Sequence, residues 1–190
     1  MNPWFSVWTK PRQTIRQIVE TNPRQSVLLL AVTTGSLELL FQVLLRYDRQ
    51  VPILFAVLTA LVVGALIGFG NLYLTGWLYG RIGVSFHGQG SGLQLRAAIA
   101  WAELPKLTLF VLWMIFLVVT KGELLNTWRE GVELSTLGVI AYALHFTSLC
   151  IMVSEVHRLN LFKGVWIVII PNACLFAFFY LLMVFYKFMW

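Results

Sequence analysis

The chain has 190 residues, 59% of them apolar and 12% charged, with a formal net charge of +6. Its mean hydropathy of +0.79 is far above that of a soluble domain, so the solvent to assume is lipid. About five spans of roughly 20 residues take up most of the length, which leaves little for a folded soluble catalytic module.

The first 24 residues, "MNPWFSVWTKPRQTIRQIVETNPR", lack the continuous apolar core and small-residue cleavage site of a signal peptide. They predict a short amphipathic helix lying on the membrane. Pro11 suits a first helical turn, Ile15, Ile18 and Val19 share one face, Arg12, Arg16 and Glu20 another, and Asn22-Pro23 stops the helix. Trp4, Phe5 and Trp8 would anchor it at headgroup depth, with Arg12 and Arg16 toward anionic lipids. Its plain role is to fix the first span; its sharper one is to dock a protein partner or cover the inner mouth of the bundle.

Apolar runs bounded by charge then predict spans over about 25–45, 51–78, 97–120, 136–153 and 164–186. The expected fold is therefore all-α, a single polytopic domain over 1–190 with five transmembrane helices. The third span is unusual because "IAWAELPKLTLFVLW", Ile99 to Trp113, holds Glu103, Pro105 and Lys106. From Pro105 to Thr120 is only about 24 Å at roughly 1.5 Å per residue, so residues before the proline must share the crossing. The helix is expected to bend or break at Pro105, freeing the carbonyl of Trp101.

With the N-terminus inside, the inner segments carry Lys10, Arg12, Arg16, Arg24, Arg81, Arg96, Arg158 and Lys163, and the outer ones Arg46, Arg49, Lys121, Arg129 and Lys187. The outer segment "KGELLNTWREGVE" adds glutamates, so both counts place the N-terminus in the cytoplasm and the C-terminus outside. The pI of about 9.6 is then a topology signal, matched to an anionic leaflet and requiring no nucleic acid. The glycine-rich "GRIGVSFHGQGSGLQLR", Gly80 to Arg96, has neither a preceding strand nor a GK[ST], and reads as a flexible inner connection. Glu155, His157 and Arg158 read as a solvated cluster at the inner boundary.

Each span carries one polar stripe. The first has Thr34, Glu38, Gln42 and Arg46 with Gly35 beside them; the second Gly64, Gly68, Asn71 and Thr75; the third Arg96, Glu103 and Lys106; the fourth Gly138, Tyr142, His145, Ser148, Met152 and Glu155; the fifth Pro171 and Asn172. Ionisable groups at this depth should turn inward and find one another. Glu38, Glu103, Lys106, His145, Asn71 and Asn172 are the candidates for a polar cavity or ion pathway, with Pro105 and Pro171 as helix hinges. The GxxxG pairs Gly64–Gly68 and Gly76–Gly80 read as helix-packing positions, as Asn71 and Thr75 also can. For Glu38 and Glu103, pairing within the fold and proton or cation handling weigh equally.

Catalysis finds no footing. Asp48 is the single aspartate, and there is no Ser-His-acid set and no HExxH. No metal or cofactor is expected either: Cys150 and Cys174 lie in apolar spans and the three histidines are dispersed.

The N-terminal "NPWFSVWTKPRQTIRQIVETNP", a second span ending in a glycine-bearing loop, and "GQGSGLQLRAAIAWAELP" opening the third span resemble the bacterial branch of the Yip family, named for yeast proteins that interact with Ypt/Rab GTPases. Trp8 to Arg16, Gly90, Glu103 and Pro105 fall where the family pattern lies. The resemblance implies a five-helix membrane domain with a cytoplasmic N-terminus. Eukaryotic members are associated with vesicle trafficking and bind GTPases through a soluble N-terminal extension; here about 24 residues precede the first span, too few for such a domain. Two functions are expected as alternatives. One is a non-enzymatic scaffold or adaptor of the bacterial inner membrane, self-associating or contacting a partner through the glycine faces and the N-terminal helix. The other is a small transporter or proton/cation pathway using Glu38, Glu103, Lys106 and His145.

Overall fold

A backbone in lipid has no water to bond to, so it must satisfy its own polar groups, and helices do this within one segment. A computed structural model describes residues 2–46, 52–119 and 132–189, and every regular element among them is helical. Two short helices, α1 (Pro3–Thr9) and α2 (Pro11–Thr21), precede α3 (Val27–Arg46) and α4 (Ile53–Ser85). The third crossing is made of two pieces, α5 (Gly92–Ala102) and α6 (Leu104–Val119), and α7 (Val132–Val156) and α8 (Leu161–Met189) complete the bundle. By length and composition α4, the α5–α6 pair, α7 and α8 can each cross a bilayer. The 20 residues of α3 make about 30 Å of helix, enough for a hydrocarbon core. The chain is thus an integral membrane protein, with the five long segments where five spans are expected. Asp48, Arg49, Lys121, Glu123, Arg129 and Glu130 lie outside the described residues.

Short α5 forms the centre. Leu95 and every residue from Ala97 to Ala102 are buried, and α2, α3, α4 and α7 pack around them. A capping box starts it: the Ser91 hydroxyl accepts from the Gln94 backbone N–H, and the Gln94 side chain accepts from the Ser91 N–H. The turn that ends it is at Glu103, whose N–H bonds back to Ala100, and Pro105 sits in the first turn of α6. A proline has no N–H to give the carbonyl four residues earlier and its ring crowds that carbonyl, so the interruption forms just before it. By contrast α8 runs unbroken through Pro171. The neighbouring Asn172 amide donates to the Val168 carbonyl and to the Tyr79 hydroxyl of α4, tying that turn to the bundle.

The two GxxxG pairs do different things. Gly64 and Gly68 meet Ala31 and Gly35 of α3 backbone to backbone: a Cβ on Gly64 would lie 2.7 Å from the Gly35 carbonyl oxygen, and one on Gly35 would lie 2.7 Å from the Gly68 Cα. A π-helical turn over Ala60–Gly64 brings α4 into this crossing. Gly76 and Gly80 instead face side chains of α5, those of Arg96 and Leu95. The outward faces of α4 and α8 are large and apolar, including Leu61, Leu66, Phe176, Phe179 and Phe185, as a surface meeting acyl chains requires.

At the end of the bundle that carries α2, two expectations are corrected. His157 does not belong to a solvated cluster: it is 1% exposed. Nor is the segment around it loosely connected. Gly83, Gly88 and Gly90 close on the imidazole, so a Cβ on Gly83 would come within 2.8 Å of Nδ1 and one on Gly90 within 3.0 Å. The Gly90 N–H donates to Nδ1 at 3.1 Å and the Gln89 N–H donates to the His157 carbonyl. The glycines are there because a ring occupies the space their side chains would need, and His87, at φ 65°, takes the left-handed conformation that turns the chain around it.

Nδ1 accepts a hydrogen bond, so the neutral ring carries its proton on Nε2. Burial pushes this imidazole below its ordinary value of 6.5, opposed by the backbone of Tyr79. As pH falls the unfolded chain therefore binds the proton first, and the stability contributed by the neutral ring, complete above about 6.5, is lost below it. Thermal unfolding in detergent should show a midpoint that drops between about pH 7.5 and 5.5, and a shallower drop in His157→Asn. Equal slopes would exclude the ring as the titrating group.

Candidate functional site

The break between α5 and α6 places Glu103 at the middle of the bundle, with Lys106 one turn further on. The Lys106 Nζ lies 2.7 Å from the Glu103 Oε2 and 3.5 Å from the Glu38 Oε2 of α3. From α7, the Tyr142 hydroxyl donates to the Glu38 Oε1, and its ring centroid is 5.1 Å from the Lys106 Nζ. His145, one turn along α7, brings Nδ1 to 3.4 Å from the Glu103 Oε2 and 3.2 Å from the Ala102 carbonyl oxygen. Both neighbours of Nδ1 are acceptors, so this nitrogen carries the ring proton, the opposite tautomer to that of His157. Three helical segments far apart in sequence are thus joined by one hydrogen-bonded set of charges.

Glu103 and Lys106 are buried, with side chains 9% and 5% exposed, and the Glu38 side chain is 31% exposed. Phe41 stacks on Phe110 at 5.0 Å between ring centroids and meets Trp113 at a tilt at 4.5 Å, joining α3 to α6. Burial at this depth raises the penalty for leaving either charge unpaired. Counted by formal charge, two carboxylates share the one ammonium of Lys106.

Beside the ion pairs is a cavity of about 410 Å3 between α3, α4 and α5. Glu38, Glu103, Thr34, Gln42 and Asn71 supply its polar wall, and Gly35 and Gly68 leave part of the wall without side chains. Gln42 and Asn71 stand at the exposed rim. The six residues expected to share one polar site divide accordingly. Glu38, Glu103 and Asn71 face the cavity, Lys106 and His145 hold the carboxylates without lining it, and Asn172 lies apart in its bond to Tyr79.

Several residues have a role in the site that their place in the sequence does not assign. Tyr142 appears there only as a stripe residue, although it binds Glu38. Gly35 has a signal that was available, the small-xxx-small spacing Ala31–Gly35, which marks a close crossing as GxxxG does. Tyr79 and the ring contacts of Gly83 carry no local signal at all. Among the described residues no group of three or more His, Cys, Asp and Glu side chains is arranged to hold a metal ion.

A family model, the Yip1 domain, matches residues 5–183, which is nearly the entire chain. No curated protein and no solved structure matches it.

The ion set generates a stability prediction. Lys106→Met leaves two carboxylates without their ammonium and should lower stability by about 3–5 kcal/mol, whereas Lys106→Met combined with Glu103→Leu should recover a large part of that loss. Thermal or denaturant unfolding of the purified protein in detergent measures both; a double variant no better than the single one would show that the pair does not act as a unit.

Proposed function

The chain belongs to the Yip1 domain family, and on that premise we propose that it is a non-enzymatic membrane scaffold or adaptor, acting in membrane organisation of the trafficking type through its N-terminal helices. The observation that carries this reading is the way α1 and α2 are mounted. Ile15 and Ile18 are 0% and 1% exposed, because the apolar face of α2 packs on α5 and α7 and does not reach lipid or a partner. Arg12 and Arg16 both reach Glu155 of α7, at 3.4 Å and 2.7 Å, and Thr14 donates to Ser6, which fastens α1 to α2. Trp101 adds a bond to the Gln25 carbonyl and an edge contact with Trp4.

The residue of this mounting is a fixed platform. Phe5 is 77% exposed and Trp8 43% exposed, on helices whose own apolar seam is already used. A rigid pair of aromatic anchors loses little entropy on binding, which suits either a headgroup layer or a protein partner. The positive-inside count supports a cytoplasmic location for this end, and the reading takes the membrane to be the bacterial inner membrane. For the adaptor, a photo-crosslinker at Phe5 or Trp8 in native membranes should capture one defined protein, and the same probe at Ile18 should not. Adducts only to lipid or to the chain itself would remove the adaptor reading.

A second reading, a small transporter or proton/cation pathway, is favoured by one specific observation, the cavity that Glu38 and Glu103 line. Vesicles containing the protein should then show a cation or proton flux that falls by about tenfold or more in Glu103→Gln, since a pathway through hydrocarbon depends on its ionisable group. Absence of flux from vesicles with verified insertion would eliminate it.

A further inference from the structure

We propose that the cavity between α3, α4 and α5 is a binding site for a small primary ammonium compound. This deepens the pathway reading by naming what the site takes, and rests on the same cavity. Three independent features of the wall lead to it.

Charge is the first. Glu38 and Glu103 are the ionisable residues of the lining, and Lys106, held between them, does not reach it. Among the described residues no other Lys or Arg is ion-paired to either carboxylate, so the set is one positive charge short of neutrality. A surplus charge in the middle of a bilayer is expensive, and one monovalent cation cancels it.

Hydrogen bonding is the second. An ammonium offers N–H donors and accepts nothing, so it needs a wall of acceptors. Thr34 already gives its hydroxyl proton to the Leu30 carbonyl at 2.8 Å, which leaves its oxygen lone pairs for the cavity. The side-chain carbonyls of Gln42 and Asn71 at the rim and the remaining lone pairs of the two carboxylates add further acceptors.

Size is the third. About 410 Å3 is far more than a proton requires and more than ten times the roughly 30 Å3 of a water molecule. Leu39, Ile67, Leu72 and Ile99 make the rest of the wall apolar, which fits a molecule with a short carbon skeleton behind its ammonium.

The same ammonium chemistry is carried by free amines and by the ethanolamine headgroup of a lipid. The probe is ethanolamine, with ethylene glycol as the uncharged control, titrated calorimetrically into the full chain in detergent at about pH 7.5. Ethanolamine should bind, and ethylene glycol should not. Glu38→Gln should weaken binding by about tenfold, from the loss of a charged partner, and Asn71→Leu, which fills the rim without touching an ion pair, should do so comparably. Thermal protection in nanodiscs by phosphatidylethanolamine over phosphatidylcholine, lost in Asn71→Leu, would support the site with the lipid as its source even if free ethanolamine fails. Equal binding of ethylene glycol, indifference to Asn71→Leu, or neither probe engaging the protein would overturn the proposal. Binding without flux would remove transport and leave the site, and flux without binding would do the reverse.

Discussion

Everything in the middle of this bundle is arranged around the need to neutralise Lys106. Among the described residues it is the single buried Lys or Arg, and an unpaired ammonium at that depth would be driven out or discharged. Two carboxylates converge on it from α3 and from the α5–α6 joint, and α7 holds those carboxylates through Tyr142 and His145. The break in the third span serves the same end. A straight helix would keep its backbone groups paired internally; the interruption ahead of Pro105 lets Glu103 sit at a turn, facing α7 on one side and the cavity on the other.

The close crossing of α3 and α4 makes this convergence geometrically feasible. Gly35, Gly64 and Gly68 let two backbones touch, which draws Glu38 toward α6. Where the two helices diverge from that contact, the side-chain volume the glycines lack becomes part of the cavity wall. Packing and polar chemistry are therefore not alternatives at these positions: the small residues that hold the helices together also shape the space beside the carboxylates.

A second, separate device closes the end that carries α2. His157 replaces the side chains that Gly83, Gly88 and Gly90 do not have, and its ring joins the end of α7 to the segment between α4 and α5. Arg12 and Arg16 clamp α2 to Glu155 two residues away along α7. Surface ion pairs of this type contribute at most about 1 kcal/mol each, so it is the burial of Ile15 and Ile18 that fixes the platform and the arginines that orient it.

The sequence by itself determined the solvent, the helical class, the five long segments and the start and stop of α2, because these follow from apolar run length, charge at the boundaries and the local chemistry of Pro11 and Asn22. It also marked Glu103, Lys106 and Glu38 as groups that must turn inward, since no other direction offers them a partner. Only the tertiary structure decided which partners they take. Nothing within a few residues of Tyr142 announces a bond to a carboxylate 104 positions away, and Asn172 looks equally suited to the cavity until its helix is seen to face Tyr79. The glycines around His157 show the same limit: a run of them reads as slack when the ring that fills their space comes from the turn after α7, more than sixty residues downstream. Periodicity reports which side of a helix is polar, but the register and rotation at which helices meet are set by side-chain volumes summed over the whole bundle.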